Sequence, residues 1–394
     1  MTRGWRIAWA LAVTQTVGYG VLYYTFSVMA LPMERELGWS RGALSGAFSL
    51  ALLGSGLVAI PVGHWVDKRG ARELMTAGSS LGALLLLAWS FVHDLTAFYL
   101  IQAGIGLVMA AVLYEVAFTV VAVWFRRERT ARARAMLLIT VVAGLASTIF
   151  VPLATFLVQV MTWREALRVL ALVLAVVTAP LHALVLRRPQ ASEEADVLLP
   201  RPDVRPAEAL RVPTFWWLTC AFALDRMAIV TVAAHSVPLL LGRGYPPSLV
   251  AAALGSVGLM QVFGRVLFTP LTSHVSLRTL SALTFCLHTL ALLTLLVLSA
   301  AWSVGLFAAL FGMANGSSTL ARAALIAEVY GATHYGSIGG SMATFIAVAQ
   351  TAAPLGAGLL FDLTGGYDVV LWGLAFSTLV AAGMVTRAQV APLS

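Results

Sequence analysis

Residues 63–72 read GHWVDKRGAR, a short polar stretch between two apolar runs. Gly63 has no side chain and allows close helix packing, and Gly70 permits a left-handed turn. Asp67 falls at the predicted end of a helix, where its carboxylate can pair with basic groups or with the N-terminus of a neighbouring helix. The stretch therefore predicts a tight, charged connection between two apolar helices.

The composition around this stretch excludes a soluble globular protein. The 394-residue chain is 60% hydrophobic and only 11% charged, whereas a soluble domain is about 45–50% apolar and about a quarter charged. The net charge of +8 is carried in short basic clusters between apolar runs. That distribution is typical of membrane topology and not of nucleic-acid binding, so we expect membrane lipid and no nucleic acid as partners.

The apolar runs are long enough to cross a bilayer, which takes roughly 20 helical residues. We predict an all-α membrane protein with twelve spans, at about 7–30, 43–62, 74–92, 97–124, 135–160, 166–186, 213–240, 248–273, 278–299, 303–329, 337–361 and 368–386.

The positive residues predict the orientation. Of the 25 Lys and Arg residues, 17 fall on the same side as the N-terminus, five fall on the opposite side and three lie inside spans. Lys and Arg are enriched in cytoplasmic loops. We therefore expect a multi-pass protein of the plasma (inner) membrane with both termini cytoplasmic.

The chain divides into two halves. Residues 187–212 are polar, proline-rich and mixed in charge, and we interpret them as a cytoplasmic linker between bundles of six helices at 1–186 and 213–394. Adding about 206 to the spans of the first half reproduces those of the second. This offset predicts two pseudo-symmetric six-helix bundles.

Residues 63–72 fit the pattern G-x-x-x-D-x-x-G-x-R, and with twelve spans in two repeats the chain resembles the major facilitator superfamily. The resemblance implies a secondary transporter that works by alternating access, with its substrate at the membrane midplane between the halves. It also implies that Gly63, Asp67, Gly70 and Arg72 serve gating and not substrate binding.

Further short stretches look like the branch of monocarboxylate transporters and oxalate–formate antiporters: Gly18-Tyr19-Gly20, Glu36-Leu37-Gly38-Trp39-Ser40, Trp124-Phe125-Arg126-Arg127, Thr162-Trp163-Arg164 and Gly264-Arg265. The resemblance implies that Arg265 binds a substrate carboxylate. One turn earlier, Gln261 stands where those carriers hold an acidic residue for proton coupling. We expect a small organic anion, a monocarboxylate, as the substrate and leave proton coupling open.

An exporter of amphipathic drugs or metabolites is the alternative. Drug–proton antiporters usually carry an arginine in the fourth span and a Gly-Pro signature in the fifth. This chain has Gln102 near the first place and Val151-Pro152 at the second, so the anion transporter is favoured.

Charges inside spans need a partner or a purpose, because each costs about 2.5–3.5 kcal/mol near the bilayer centre. Asp225 and Arg265 lie about equally far from the turn at Gly244-Tyr245. We predict that they pair when the substrate site is empty, with a permanent structural ion pair as the alternative. Gln261 shares a helix face with Arg265, so we include it in the site.

Other polar residues complete the predicted site. Glu115 and Arg322 form a cytoplasmic-side latch or proton site, or pair separately with loop charges. Gln15 and Tyr19, one turn apart, form a cavity face, and Asn315 hydrogen-bonds the substrate or relieves packing. For the histidines in spans, His182, His235 and His288, we favour bonds to backbone carbonyls over titration.

The sequence lacks the motifs of catalysis. No phosphate-binding loop, metal cluster or nucleophile–base pair is evident. We therefore expect no enzyme activity, no cofactor and no metal, and a monomer whose partners are an anionic small molecule and, for coupling, protons.

Overall fold

The computed structural model describes residues 2–187 and 204–388, and the regular structure in these ranges is helical throughout. Long helical runs occur at all twelve predicted places. We number them α1 (3–37), α2 (41–69), α3 (Ala71–Trp89), α4 (Leu95–Trp124), α5 (Arg129–Val160), α6 (Trp163–Val185), α7 (Pro213–Gly242), α8 (Pro247–Leu271), α9 (Leu277–Val297), α10 (Ala301–Val329), α11 (Tyr335–Thr364) and α12 (Asp368–Arg387). The all-α membrane fold is confirmed.

Several of these runs are interrupted. A π-helical segment, Tyr19–Tyr24, divides α1, and another, Leu174–Thr178, divides α6. The breaks in α2, α4 and α5 fall at Val58, Leu113 and Leu145. Among the described residues, nine helices are long and apolar enough to cross a membrane, or ten if the two parts of α2, which meet at 43°, count as one span.

The chain forms two compact units. The N-terminal unit holds Met1–Asp203 with Gly331–Thr344, and the C-terminal unit holds Val204–Tyr330 with Phe345–Ser394. The boundary therefore passes through α11. The predicted linker at 187–212 falls largely on 188–203, outside the described residues, and the predicted domain division stays a prediction.

In the N-terminal unit, local signals set the helix ends. The side chains of Ser40 and Asp94 accept hydrogen bonds from the first turns of α2 and α4, and Thr162 and Glu165 form a capping box on α6. Such caps each contribute about 1 kcal/mol. Gly38, with φ of 69°, ends α1 in the left-handed conformation.

Close helix crossings occur at equivalent positions of the two units. A Cβ on Gly106 of α4 would lie 2.2 Å from the carbonyl oxygen of Ala51 in α2. A Cβ on Gly312 of α10 would lie 2.6 Å from the carbonyl oxygen of Val257 in α8. Both residues of the second contact are displaced by 206 from those of the first, which is the offset predicted from the spans. Only glycine lets the backbones approach this closely.

In the C-terminal unit, α8 packs along α10, and α9 packs against both α10 and α12. The α8–α10 contact also uses Gly264 and Gly316, whose added Cβ atoms would lie 2.0 Å and 2.1 Å from backbone oxygens of the facing helix. These contacts fix how α8 is rotated, and with it the direction of its polar face.

Candidate functional site

The first candidate region lies where α1 and α4 are interrupted. The fully buried Gln15 of α1 donates from Nε2 to the carbonyl oxygen of Val112, 2.6 Å away, at the last residue before the break in α4. The break leaves this carbonyl without its usual helical donor, since Leu113 is extended. Interrupted membrane helices occur where the backbone lines a binding cavity or is satisfied by side chains.

Aromatic residues surround the same break. The Tyr19 ring, in the π-helical segment, lies 4.5 Å from the Tyr114 ring, which stacks on Phe118 at 5.2 Å. Glu115 lies in the first turn after the break. The predicted residues Gln15, Tyr19 and Glu115 therefore all belong to one part of the N-terminal unit.

In the motif at residues 63–72, the Asp67 carboxylate caps the N-terminus of α11. The Asp67 carboxylate accepts hydrogen bonds from the backbone N–H groups of Gly336 and Ser337, at 2.9 Å and 2.7 Å, and from the Ser337 hydroxyl at 2.6 Å. These donors lie in the first turn of α11, where a carboxylate satisfies unpaired N–H groups and interacts favourably with the helix dipole. Asp67 thus holds the neighbouring helix N-terminus that the sequence suggested.

The other motif residues support this contact. A Cβ on Gly63 would lie 1.9 Å from the carbonyl oxygen of Gly336, so a larger residue would push α11 away. Gly70 has a φ of 83°, and Arg72 donates from Nε to the carbonyl oxygen of Ala183 in α6 at 2.7 Å. A cavity of about 460 Å³ lies beside the motif, with Asp67, Glu73, Arg69, Arg72, Arg126 and Arg187 among its lining.

The second candidate region is the polar face of α8. Arg265 is 5% exposed, and its Nη2 donates to Oε1 of Gln261, one turn earlier, at 3.2 Å. The Thr269 hydroxyl donates to the Arg265 carbonyl oxygen at 3.2 Å. The structure thus brings Gln261 and Arg265 together on one face, as their spacing predicts.

Asp225 has different partners from the one predicted. In place of an ion pair with Arg265, its Oδ1 lies 2.6 Å from Nδ1 of His288 in α9, and its Oδ2 accepts from the Ser318 hydroxyl in α10 at 2.6 Å. The prediction failed because equal depth in the membrane does not fix the direction in which two helices point their side chains. Here α7 directs Asp225 towards α9 and α10.

Four other charged or polar residues of the spans are placed as follows. Arg226 donates from Nε to Oε1 of Gln350 in α11 at 3.1 Å. Asn315 is half-buried in α10, where its carbonyl oxygen accepts from the Thr319 hydroxyl at 3.3 Å. Glu115 belongs to the N-terminal unit and Arg322 to the C-terminal unit. Their pairing stays a prediction.

His235 bonds a backbone carbonyl, the interpretation that the sequence favoured. Its Nε2 lies 3.0 Å from the carbonyl oxygen of Pro354, and its Nδ1 lies 3.1 Å from the Tyr367 hydroxyl. Since a carbonyl can only accept, Nε2 carries the hydrogen and Nδ1 accepts from the tyrosine. His182 likewise lies 3.2 Å from the Met75 carbonyl oxygen and 2.9 Å from the Ser79 hydroxyl.

Long apolar helices with ionisable side chains buried inside them are the architecture of a multi-pass membrane protein. A family model described as Major Facilitator Superfamily matches residues 11–354, and the chain belongs to that superfamily. Its members are transporters of small molecules and not enzymes.

Individual proteins show the same relationship. The chain is 24% identical to the MFS-type transporter YcxA of Bacillus subtilis over 372 residues. This aligned region covers 90% of this chain and 88% of YcxA. The chain is 29% identical over 223 residues to the oxalate:formate antiporter of Oxalobacter formigenes, covering 55% and 50% of the two chains. The human organic anion transporter MFSD10 has the same fold, with a TM-score of 0.77, 16% identity and coverage of 98% and 100%.

Proposed function

We propose that this protein transports a small organic anion, a monocarboxylate, across the inner membrane by alternating access, with Arg265 as the carboxylate-binding residue. The observation that carries the proposal is a buried guanidinium on the polar face of α8. A buried arginine is costly unless it serves a purpose, and its planar fork matches a carboxylate through two parallel hydrogen bonds.

Neighbouring residues suit the same substrate. Gln261 shares the α8 face with Arg265 and offers an amide that can bond a hydroxyl or carbonyl beside the carboxylate. We propose Gln15, Tyr19 and Asn315 as further substrate-binding residues. The name of the oxalate:formate antiporter supports an anion as substrate.

We propose a gating role for the motif residues Gly63, Asp67, Gly70 and Arg72. Asp67 holds the first turn of α11 through three hydrogen bonds, and such a contact stabilises one conformation of a transport cycle against another. We propose that Glu115 and Arg322 form a latch in the same cycle. The excess of Lys and Arg on one side supports cytoplasmic termini.

The test is counterflow in proteoliposomes with a panel of labelled monocarboxylates. We expect exchange of at least one of them, and a large loss of exchange in Arg265→Lys, since a lysine cannot form the bidentate contact. The matched control is Arg226→Lys, which changes an exposed arginine on α7 in the same way. Equal exchange by both variants and the wild type would show that Arg265 does not bind the substrate.

Export of amphipathic compounds is the second candidate. The aromatic cluster of Tyr19, Tyr114 and Phe118 favours it, because aromatic rings bind apolar and cationic compounds. Transport of a cationic dye together with exchange of none of the carboxylates would establish this function and exclude the anion transporter.

A further inference from the structure

Three polar side chains from three helices meet inside the C-terminal unit. Asp225 of α7, His288 of α9 and Ser318 of α10 are 1%, 0% and 6% exposed. Both oxygens of the carboxylate are bound at 2.6 Å, one by the imidazole and one by the hydroxyl. Such short contacts are typical of hydrogen bonds to a charged acceptor.

The second imidazole nitrogen decides the charge of this cluster. Because the carboxylate accepts, Nδ1 of His288 carries the hydrogen, and in the neutral ring Nε2 is a bare lone pair. Nε2 is buried without a hydrogen-bond partner among the described residues, and the ring packs against Phe311 with centroids 5.0 Å apart. The neutral ring leaves a net charge of −1 on the cluster, and one proton on Nε2 brings that charge to zero.

His182 in the N-terminal unit provides the comparison. It is also buried, and its Nε2 is also without a hydrogen-bond partner among the described residues. It differs in that its Nδ1 contacts the Ser79 hydroxyl and the Met75 carbonyl oxygen, whereas Nδ1 of His288 contacts a carboxylate. A proton on His182 would add an uncompensated buried charge, whereas a proton on His288 removes one.

The charged groups on helices packed around the cluster are few. They are Arg226 of α7, Arg265 of α8, Arg278 of α9, Arg322 and Glu328 of α10, and Asp368 and Arg387 of α12. Of the acidic ones, Glu328 and Asp368 lie at helix ends. Asp225 is therefore the acidic residue that lies away from the ends of these helices. The nearest basic residue along α10 is Arg322, one helical turn after Ser318.

We propose that Asp225 and His288 form the proton-binding site of the transporter. The assignment rests on the proposed anion transport, with a proton as the coupling ion. Gln261, which stands where the resembled carriers hold an acidic residue, cannot bind that proton. One proton adds to Nε2 of His288 on one side of the membrane and leaves it on the other. With one monocarboxylate per proton, the moved charge is zero.

The proton site is connected to the substrate site through α10. Ser318 donates to Asp225, and its neighbour Ser317 donates to the carbonyl oxygen of Gly264, next to Arg265, at 3.1 Å. Movement of α8 on anion binding therefore displaces α10 and changes the surroundings of the carboxylate. This gives each ligand a physical means of altering the affinity for the other.

The first test needs no substrate. Solid-state NMR of wild-type protein with ¹⁵N-labelled histidine, reconstituted in lipid, reports the protonation state of each imidazole across a pH series. The spectrum of His288→Gln assigns the signal. We expect the wild-type spectra to show both the neutral and the doubly protonated ring of His288 across the series, and the Asp225→Asn spectra to show the neutral ring alone, because the compensating carboxylate is gone. A His288 that stays in one state throughout would overturn the proposal.

The second test separates coupling from transport. A carboxylate that exchanges in counterflow is used, and its accumulation driven by a pH gradient of about one unit is measured for the wild type and each variant. At one proton per anion, this gradient supports about tenfold accumulation. In His288→Gln the ratio of driven accumulation to counterflow falls at least about fivefold, while His182→Gln keeps the wild-type ratio. An unchanged ratio in His288→Gln refutes the proton site. Absence of any carboxylate exchange by the wild type refutes the proposed function instead, and the NMR result still decides the proton site.

Discussion

Replacing Gly264 by alanine should separate α8 from α10. The added Cβ would lie 2.0 Å from the carbonyl oxygen of Met313, which is about 1.4 Å short of ordinary contact at 3.4 Å. The added Cβ would clash with backbone atoms, which cannot change rotamer to relieve the clash as a side chain can. Overpacking of this kind costs about 1–3 kcal/mol. The loss of glycine's conformational freedom offsets up to about 1 kcal/mol of it.

Because the clash is with backbone, the upper part of that range applies, about 2–3 kcal/mol, and the expected net destabilisation is about 1–3 kcal/mol, or a fall in Tm of roughly 2–12 °C for a unit of this size. Thermal unfolding of purified protein, followed by fluorescence-detected size exclusion, measures it. Gly255→Ala and Gly258→Ala are matched controls on the same helix, since no described residue lies within 4 Å of their added Cβ atoms. Both should remain within about 1 kcal/mol of the wild type.

The same substitution should also affect transport, because Arg265 follows Gly264 directly. Counterflow by Gly264→Ala should fall well below that of Gly255→Ala at equal amounts of folded protein. If Gly264→Ala unfolds at the wild-type temperature and exchanges at the wild-type rate, the close α8–α10 crossing does not position Arg265.

Three further substitutions test other contacts, each read from the Tm of the purified protein. Gln15→Leu leaves the Val112 carbonyl oxygen without its donor and should lower the free energy of unfolding by about 1–3 kcal/mol. An unchanged Tm would show that this carbonyl oxygen has another hydrogen-bond donor. Asp67→Asn keeps the shape of the side chain but replaces one accepting oxygen by an NH₂ group, so a backbone N–H of Gly336 or Ser337 loses its acceptor, and stability should fall by about 1–3 kcal/mol; an unchanged or higher Tm would contradict this. Arg164→Ala removes the contact with Glu36 and also the hydrogen bond to the Ser90 carbonyl oxygen, and should cost about 1–3 kcal/mol; an unchanged Tm would show that these contacts add nothing to stability.

Much of the fold could be predicted because it follows from local signals. The apolar runs gave twelve helices, since burial in lipid requires about the same length of helix each time. The repeat offset of 206, predicted from the spans, also relates the glycine crossings at Gly106 and Gly312 that the structure shows. Two of the quoted stretches also meet: Glu36 accepts from the Trp163 indole at 2.5 Å and from Arg164 at 3.0 Å.

The interrupted helices could not be predicted. The break at Leu113 has neither proline nor glycine, the residues that normally signal one, and lies within the sequence Val112-Leu113-Tyr114. The carbonyl that it releases is satisfied by Gln15, 97 residues earlier in the chain. Such a long-range hydrogen bond leaves no local pattern.

The partners of buried charges were also beyond the sequence. Residue counts placed Asp225 at the depth of Arg265, but the rotation of α7 decides which helix the carboxylate meets. An isolated histidine in an apolar run usually bonds a backbone carbonyl, and no local pattern distinguishes His288 from such a residue. Its contact with Asp225 bridges 63 residues and depends on the packing of α9 beside α7 and α10.

Carboxylate binding at Arg265 is the central claim, and equilibrium binding tests it most directly. The measurement is the Kd of the carboxylate identified by counterflow, by isothermal titration of wild-type protein, Arg265→Lys and the control Arg226→Lys. Loss of a charge-assisted, bidentate contact should weaken binding by Arg265→Lys at least about tenfold, while Arg226→Lys binds as the wild type does. An equal Kd for all three proteins would contradict the assignment of Arg265 as the anion-binding residue.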